Sequence, residues 1–211
     1  MKAWKMTDRN PMNIAIALGD FYRSTQAMTG LSGAALQTHR HTVLAGLDQP
    51  LARNPDYQPA AAPVLRFLPE ALAAAPSHPV LEAILPFMPD LHWQTNNNYR
   101  GYFADSFFDN EAFTEIIGPK GKLQTNAFRC GLLLLGPQLD YPDHNHETSE
   151  WYHVLSGTGL WRQGRDDFSP RPPHSAIFHT SWEVHAMRCS KAPVLALWSW
   201  VGKMGSEAVP V

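Results

Sequence analysis

The sequence predicts a mainly β chain, a sandwich or barrel of short strands behind an N-terminal helical extension. Three observations lead there. The chain changes character near residue 105: apolar residues recur at helical spacing before it. After it, short apolar runs are separated by Gly and Pro turn signals. The 211 residues are enough for one well-cored domain and marginal for two.

Taken in order, Ile14, Ala17, Leu18, Phe21 and Tyr22 mark a first helix. Leu36, Val43, Leu44 and Leu47 mark a second, with His39 and His41 inside it. Pro50 to Pro63 is a Pro- and Asn-bearing connection, and Val64 to Ala75 is apolar and Ala-rich. Ser77 can then cap a helix running through Leu81, Ile84, Leu85 and Met88, with Glu82 in its first turns. The expected strands are Phe113–Ile117, Ala127–Leu135, Glu150–Leu155, Gly159–Gln163, Ser175–Phe178, Val184–Cys189 and Val194–Val201. Ser156-Gly157 is a turn signal between two of them. Residues 1–105 are thus expected to form a helical extension packed on the β unit of residues 106–211, in one integrated domain.

The formal net charge of −2 implies no nucleic-acid or membrane-surface field. No run reaches the roughly 18 apolar residues that cross a bilayer. The opening stretch MKAWKMTDRNPMNIAIALGDFY does not read as a signal peptide: Asp8, Arg9 and Asn10 interrupt it, and no small-residue cleavage site follows. The expectation is a cytoplasmic protein acting on a small molecule. Cys130 and Cys189 are expected to be reduced, buried thiols.

Six of the ten His fall after position 143. The segment Tyr141 to Gly157 concentrates the chemistry. His144 and His146 are two apart, so on a strand they share a face, as do Glu150 and Tyr152. Two imidazoles and a carboxylate form a facial set that leaves open positions on a metal. A further His must come from elsewhere, and His185 is best placed, because it opens another apolar run after Pro173 and Phe178. Such a set accepts Zn, Fe, Mn, Co or Ni, so one divalent transition metal ion is expected and its identity stays open. His153 alternates to the face opposite Tyr152 and belongs outside the barrel. His174 and His179 lie in or beside a turn and are not expected to bind metal. His39, His41, His78 and His92 lack ligand spacing.

The pattern His-x-His-x3-Glu-x6-Gly, as His144, His146, Glu150 and Gly157, resembles the first cupin motif. Pro173 to His185 resembles the second, with departures: Gly136 is two residues too far upstream, His174 replaces the usual Gly and Cys189 the usual Asn. The resemblance implies a small, jelly-roll-like antiparallel β-barrel with the metal inside its mouth. Tyr141 lies five residues before His146 and Tyr152 two after Glu150. With the helical extension and the Trp-rich last strand, this is similar to the cupin-type dimethylsulfoniopropionate (DMSP) lyases.

That resemblance implies a carbon–sulfur lyase that cleaves a zwitterionic sulfonium to dimethyl sulfide and acrylate by β-elimination. The metal ligands would be His144, His146, Glu150 and His185. A tyrosine would be the base: Tyr141 is assigned that role and Tyr152 that of metal or carboxylate partner, with the reverse assignment open. Aromatic faces attract cations. Trp198 and Trp200 share a strand face, Trp182 sits near His185, and Tyr99 and Tyr102 can close the pocket from the extension. Lys120 or Lys122 can greet an anionic substrate. Two rival readings share the ligand set. Another cupin metalloenzyme, of the non-haem dioxygenase type, would need oxygen. A non-catalytic ligand-binding or sensing cupin would bind without turnover. A homodimer is compatible with either reading.

Overall fold

The computed structural model describes residues 9–25 and 33–211. The reading of residues 1–8 as part of a leaderless N-terminus lies outside them. Five α-helices are described, besides short 3-10 turns: α1 Met12–Ser24, α2 Ala34–Leu47, α3 Leu68–Ala74, α4 Pro79–Ile84 and α5 Asp105–Phe108. Helix α1 buries Ile14, Leu18 and Tyr22, spaced so that one stripe faces inward. Helix α2 buries Leu36, His39 and Val43 in the same way. One helix start differs from expectation. His78, not Ser77, occupies the N-cap of α4, and the Ser77 hydroxyl instead donates to Glu82 Oε1 at 2.5 Å.

The strands are β1 Ala52–Arg53, β2 Trp93–Gln94, β3 Glu111–Ile117, β4 Leu123–Gln124, β5 Arg129–Leu135, β6 Asp140–Asn145, β7 Ser149–Ser156, β8 Gly159–Gln163, β9 Ser169–Arg171, β10 Ala176–His179, β11 His185–Arg188, β12 Val194–Val201 and β13 Val209–Pro210. The larger sheet runs β1-β4-β3-β5-β12-β7-β10, with β2 on the free side of β3. The smaller runs β13-β6-β11-β8-β9. Pairing is antiparallel except where β3 meets β4. The two sheets form separate hydrogen-bonded networks, so the cupin-like jelly roll is not a closed ring. The extension is not wholly helical either, because β1 and β2 pair with β4 and β3.

Alternation along the central strands explains the two cores. On β12, Leu195 and Leu197 face the helices while Ala196 and Trp198 face the opposite sheet. On β5, Leu132 and Leu134 point outward and Leu133 and Leu135 inward. Both faces are covered, so these strands read as nearly unbroken apolar runs. Gly157, the last residue of the first motif, has φ 75°, and a Cβ there would lie 2.2 Å from the Pro193 carbonyl oxygen. Only glycine fits that turn. Cys130 and Cys189 are both free and buried, as expected. Among the described residues no helix is long and apolar enough to cross a membrane.

Candidate metal centre

The two sheets meet across the barrel mouth. On the smaller sheet, β6 and β11 place His144 opposite His185, and His146 follows one residue past the end of β6. On the larger sheet, β7 turns Glu150 and Tyr152 inward. Glu150 Oε2 lies 3.0 Å from His146 Nε2 and 3.2 Å from His185 Nε2, with all three side chains buried. Among the described residues, this is the set of His, Cys, Asp or Glu side chains whose donor atoms lie within 4.8 Å of one another. His144 stands beside it, with its ring centroid 4.1 Å from that of His185.

The backbone decides which nitrogen of each ring carries the proton. Nδ1 of His144 lies 2.9 Å from the Pro142 carbonyl oxygen, Nδ1 of His146 2.8 Å from that of Thr148, and Nδ1 of His185 2.9 Å from that of Glu183. A carbonyl can only accept, so each Nδ1 is the donor and each neutral ring carries its lone pair on Nε2. His185 Nε2 accordingly has no hydrogen-bond partner, although it faces a carboxylate oxygen. Lone pairs and a carboxylate converging on one point call for a cation. Histidines that bind metal through one nitrogen while donating from the other to a carbonyl show this same arrangement. The residues therefore fit a divalent ion.

The electrostatics agree. Burial would raise the Glu150 carboxyl, but positive charge at His146 and His185 holds it well below the usual carboxylate range, and a cation in place of their protons would act in the same direction. Burial, reinforced by His185, pushes His144 well below the usual imidazole range. Trp200 Nε1 donates to Glu150 Oε1 at 2.6 Å, and its ring covers His146 at 4.2 Å. The indole thus fixes two members of the set at once.

A cavity of about 290 Å³ opens onto this centre and is lined by His144, His146, Glu150, Tyr141, Tyr152 and Trp198, among others. Tyr141 Oη accepts from Asn96 Nδ2 at 3.0 Å and donates to Tyr99 Oη at 3.3 Å. Asn96 Nδ2 also donates to Glu111 Oε1 at 3.2 Å. Glu111 is fully buried, which pushes its carboxyl up to about 8. Burial also raises both phenols well above their usual range, with Tyr99 adding to the effect at Tyr141 and Glu150 at Tyr152. Trp198 and Trp200 both line the cavity, and the Arg129 guanidinium sits 5.5 and 5.0 Å from their ring centroids. Lys120 lines the cavity, whereas Lys122 packs over Tyr57 at 5.0 Å.

Tyr99 is buried behind Tyr141. Trp182 and Tyr102 do not line the cavity: they are 55% and 74% exposed. Trp182 has φ 63°, so its turn directs the ring outward to solvent. The sequence does not single out Asn96 and Glu111, and it places His179 in or beside a turn, where no metal binding is expected. Asn96 had a visible signal, the run Asn96-Asn97-Asn98 beside Tyr99. His179 ends β10, is fully buried, and stacks on His185 at 4.0 Å with an interplanar angle of 13°. Only its cross-strand partner, Glu150, reveals that position.

Comparisons with known proteins converge. A family model described as dimethylsulfoniopropionate lyase (DMSP lyase) matches residues 35–196. Dimethylsulfoniopropionate lyase DddQ of Ruegeria pomeroyi is 30% identical over 107 residues, 50% of this chain and 51% of that protein. DddL of Cereibacter sphaeroides is 28% identical over 92 residues, 43% of this chain and 38% of that protein. The matched stretch spans about half the length of the first of these relatives and less of the second. The solved structure of DMSP lyase DddQ from Ruegeria pomeroyi DSS-3 aligns with a TM-score of 0.72 and 21% identity, covering 96% of this chain and 97% of that one. A structure reported with the DMSP lyases RdDddP and RnDddQII aligns with a TM-score of 0.73 and 23% identity, covering 95% and 97%. At that identity the likeness concerns the fold, jelly roll and helical layer together.

Proposed function

Because the chain belongs to the dimethylsulfoniopropionate lyase family, whose model covers residues 35–196, we propose that it is a metal-dependent carbon–sulfur lyase that cleaves DMSP to dimethyl sulfide and acrylate. One observation carries the metal-dependent part of this reading. His146, Glu150 and His185 converge on one point, each imidazole fixed through Nδ1 by a backbone carbonyl, beside His144 and two cavity tyrosines.

The reaction is a β-elimination. A base takes the proton from the carbon next to the carboxylate, and the C–H pair becomes the new C=C bond. As that bond forms, the C–S bond breaks and its pair leaves on sulfur as neutral dimethyl sulfide. His146, Glu150 and His185, with His144 beside them, would hold a divalent ion, which would supply positive charge beside the substrate carboxylate and favour an ionised phenol nearby. Tyr141 takes the proton. The Asn96 amide supports its oxygen when that oxygen is charged. Glu111 is largely protonated near neutral pH and so adds little negative charge beside Tyr141. Tyr152, two residues from Glu150 on the same face, meets the metal or the substrate carboxylate. Trp198 and Trp200, which both line the cavity, receive the sulfonium. A cavity of about 290 Å³ suits a small zwitterion and excludes polymers.

The test is a headspace assay for dimethyl sulfide, with acrylate measured in parallel, on purified protein loaded with Zn²⁺, Fe²⁺ or Mn²⁺. Equimolar products, formed equally well without oxygen, are expected. A folded, metal-loaded protein that releases no dimethyl sulfide overturns the reading.

A further inference from the structure

Strand β7 carries a second histidine on its other face. His153 is 2% exposed, and neither ring nitrogen has a hydrogen-bond partner. Facing it, His78 is 5% exposed, with Nδ1 unpartnered. Its ring centroid is 5.0 Å from that of His153. His174, exposed on the turn before β10, lies 6.0 Å from His153 and 6.2 Å from His78. Phe21 closes the inner side, 4.7 Å from His153 and 5.2 Å from His78. Buried nitrogens without partners are rare in folded proteins, and each calls for an explanation such as an ion.

Two of these histidines also occupy positions where the backbone favours a different residue. His78 is the N-cap of α4, yet its side chain makes no capping bond. Ser, Thr, Asp or Asn usually stands there. His174 has φ 70°, a left-handed conformation in which glycine is the undemanding choice. Its backbone N–H donates to the Val154 carbonyl at 2.8 Å, so the turn is fixed against β7. Local conformation explains neither imidazole, but a shared ligand explains both.

We infer that His78, His153 and His174 form a second site for a divalent transition metal such as Zn²⁺, clipping the helical layer to the barrel. Three imidazoles on one tetrahedral ion, with metal–nitrogen bonds of about 2.0–2.1 Å, hold their ring centroids roughly 5 Å apart. The observed 5.0 to 6.2 Å lies close to that spacing, and the longer two distances both involve the exposed His174. Burial lowers His78 to about 4 and His153 to about 3, so both rings are neutral at neutral pH and have lone pairs to give. The fourth position, on the solvent side, falls to water. The site does not depend on the lyase reading, because it lies on the opposite face of β7.

The test uses two substitutions that the backbone should accept. His78→Asn places a good capping residue at the start of α4, and His174→Gly relieves the left-handed turn. Full-length parent and variants are equilibrated with Zn²⁺, and bound metal is measured per chain. Each variant should hold one equivalent fewer than the parent, whatever the occupancy of the barrel centre. Without metal, each variant should melt at or above the parent's Tm. With Zn²⁺ at about a hundredfold excess over the dissociation constant, the parent should gain roughly 5–10 °C more than the variants. Equal zinc equivalents in parent and variants, or equal zinc-induced shifts, overturn the site.

Discussion

Strand β7 has a histidine-rich environment on each face, and the two are built differently. Inside the barrel, His144, His146 and His185 each spend one nitrogen on a backbone carbonyl, and His146 and His185 aim the other at Glu150. Outside, His78 and His153 leave nitrogens unpaired under Phe21, and no carboxylate is centred among them. The inner rings are orientated before any ligand arrives, whereas the outer rings must turn to meet one. Preorganisation of this kind separates a site that tunes chemistry from one that only joins elements.

The largest expected effect tests the inner face. His146→Ala or His185→Ala removes one of a few ligands and should abolish most metal binding, with dimethyl sulfide release falling by about 10³-fold or more. Metal analysis and the headspace assay check this together. A full metal equivalent at the barrel centre in the doubly substituted protein would mean that the ligands are wrongly assigned.

Tyr141→Phe comes next. It should keep fold and metal but lose about 10²–10⁴ in kcat, the usual cost of a missing general base. Tyr152→Phe should move KM as well. If the first variant turns over at the parent rate while the second does not, the two roles are exchanged.

Trp200→Phe probes orientation alone. It deletes the donor to Glu150 Oε1 while keeping a ring over His146. Metal affinity should weaken by about 10–100-fold, as on loss of an outer-shell hydrogen bond, and competition with a chelator measures it. An unchanged affinity would show that the carboxylate needs no such anchor.

The smallest effect belongs to the outer face. An imidazole in the unfolded chain takes up a proton near pH 6.5. In the folded chain burial delays this to about 4 at His78, with His174 adding to the delay and Glu82 opposing it, and to about 3 at His153, where His78 and His174 add to it. Between those values the unfolded chain binds more protons, so stability falls as pH drops from about 6.5 toward 4. Urea midpoints at pH 7 and pH 5, measured without metal, should differ less in His78→Asn than in the parent. His39, lowered to about 3 by burial, shares this window and is unchanged in that variant.

The inner face could be read from the sequence because its ligands crowd a short segment. His144, His146, Glu150 and Tyr152 lie within nine positions, and strand alternation fixes their faces. The central strands could be read because they are buried on both sides and therefore apolar throughout. Strand β6 could not: Asp140-Tyr-Pro-Asp-His-Asn145 holds few strand-forming residues, and its extension comes from pairing with β11 and β13. Asn96 and Glu111 reach Tyr141 from 45 and 30 positions away, where no spacing rule operates. The outer histidines are scattered over 78, 153 and 174, and only tertiary packing, which sets the N-cap of α4 beside β7, brings them together.

The placement of β12 has a kinetic consequence. It is the last of the long strands in the chain, yet it lies at the middle of the larger sheet, between β5 and β7. A nascent chain that has reached residue 193 holds every candidate metal ligand but cannot complete that sheet. β5 and β7 then present unpaired edges to each other and to other chains. The closing step joins residues far apart in sequence, which makes it slow and leaves it open to misassembly. Insertion of β12 between β5 and β7 is therefore the step that completes the larger sheet.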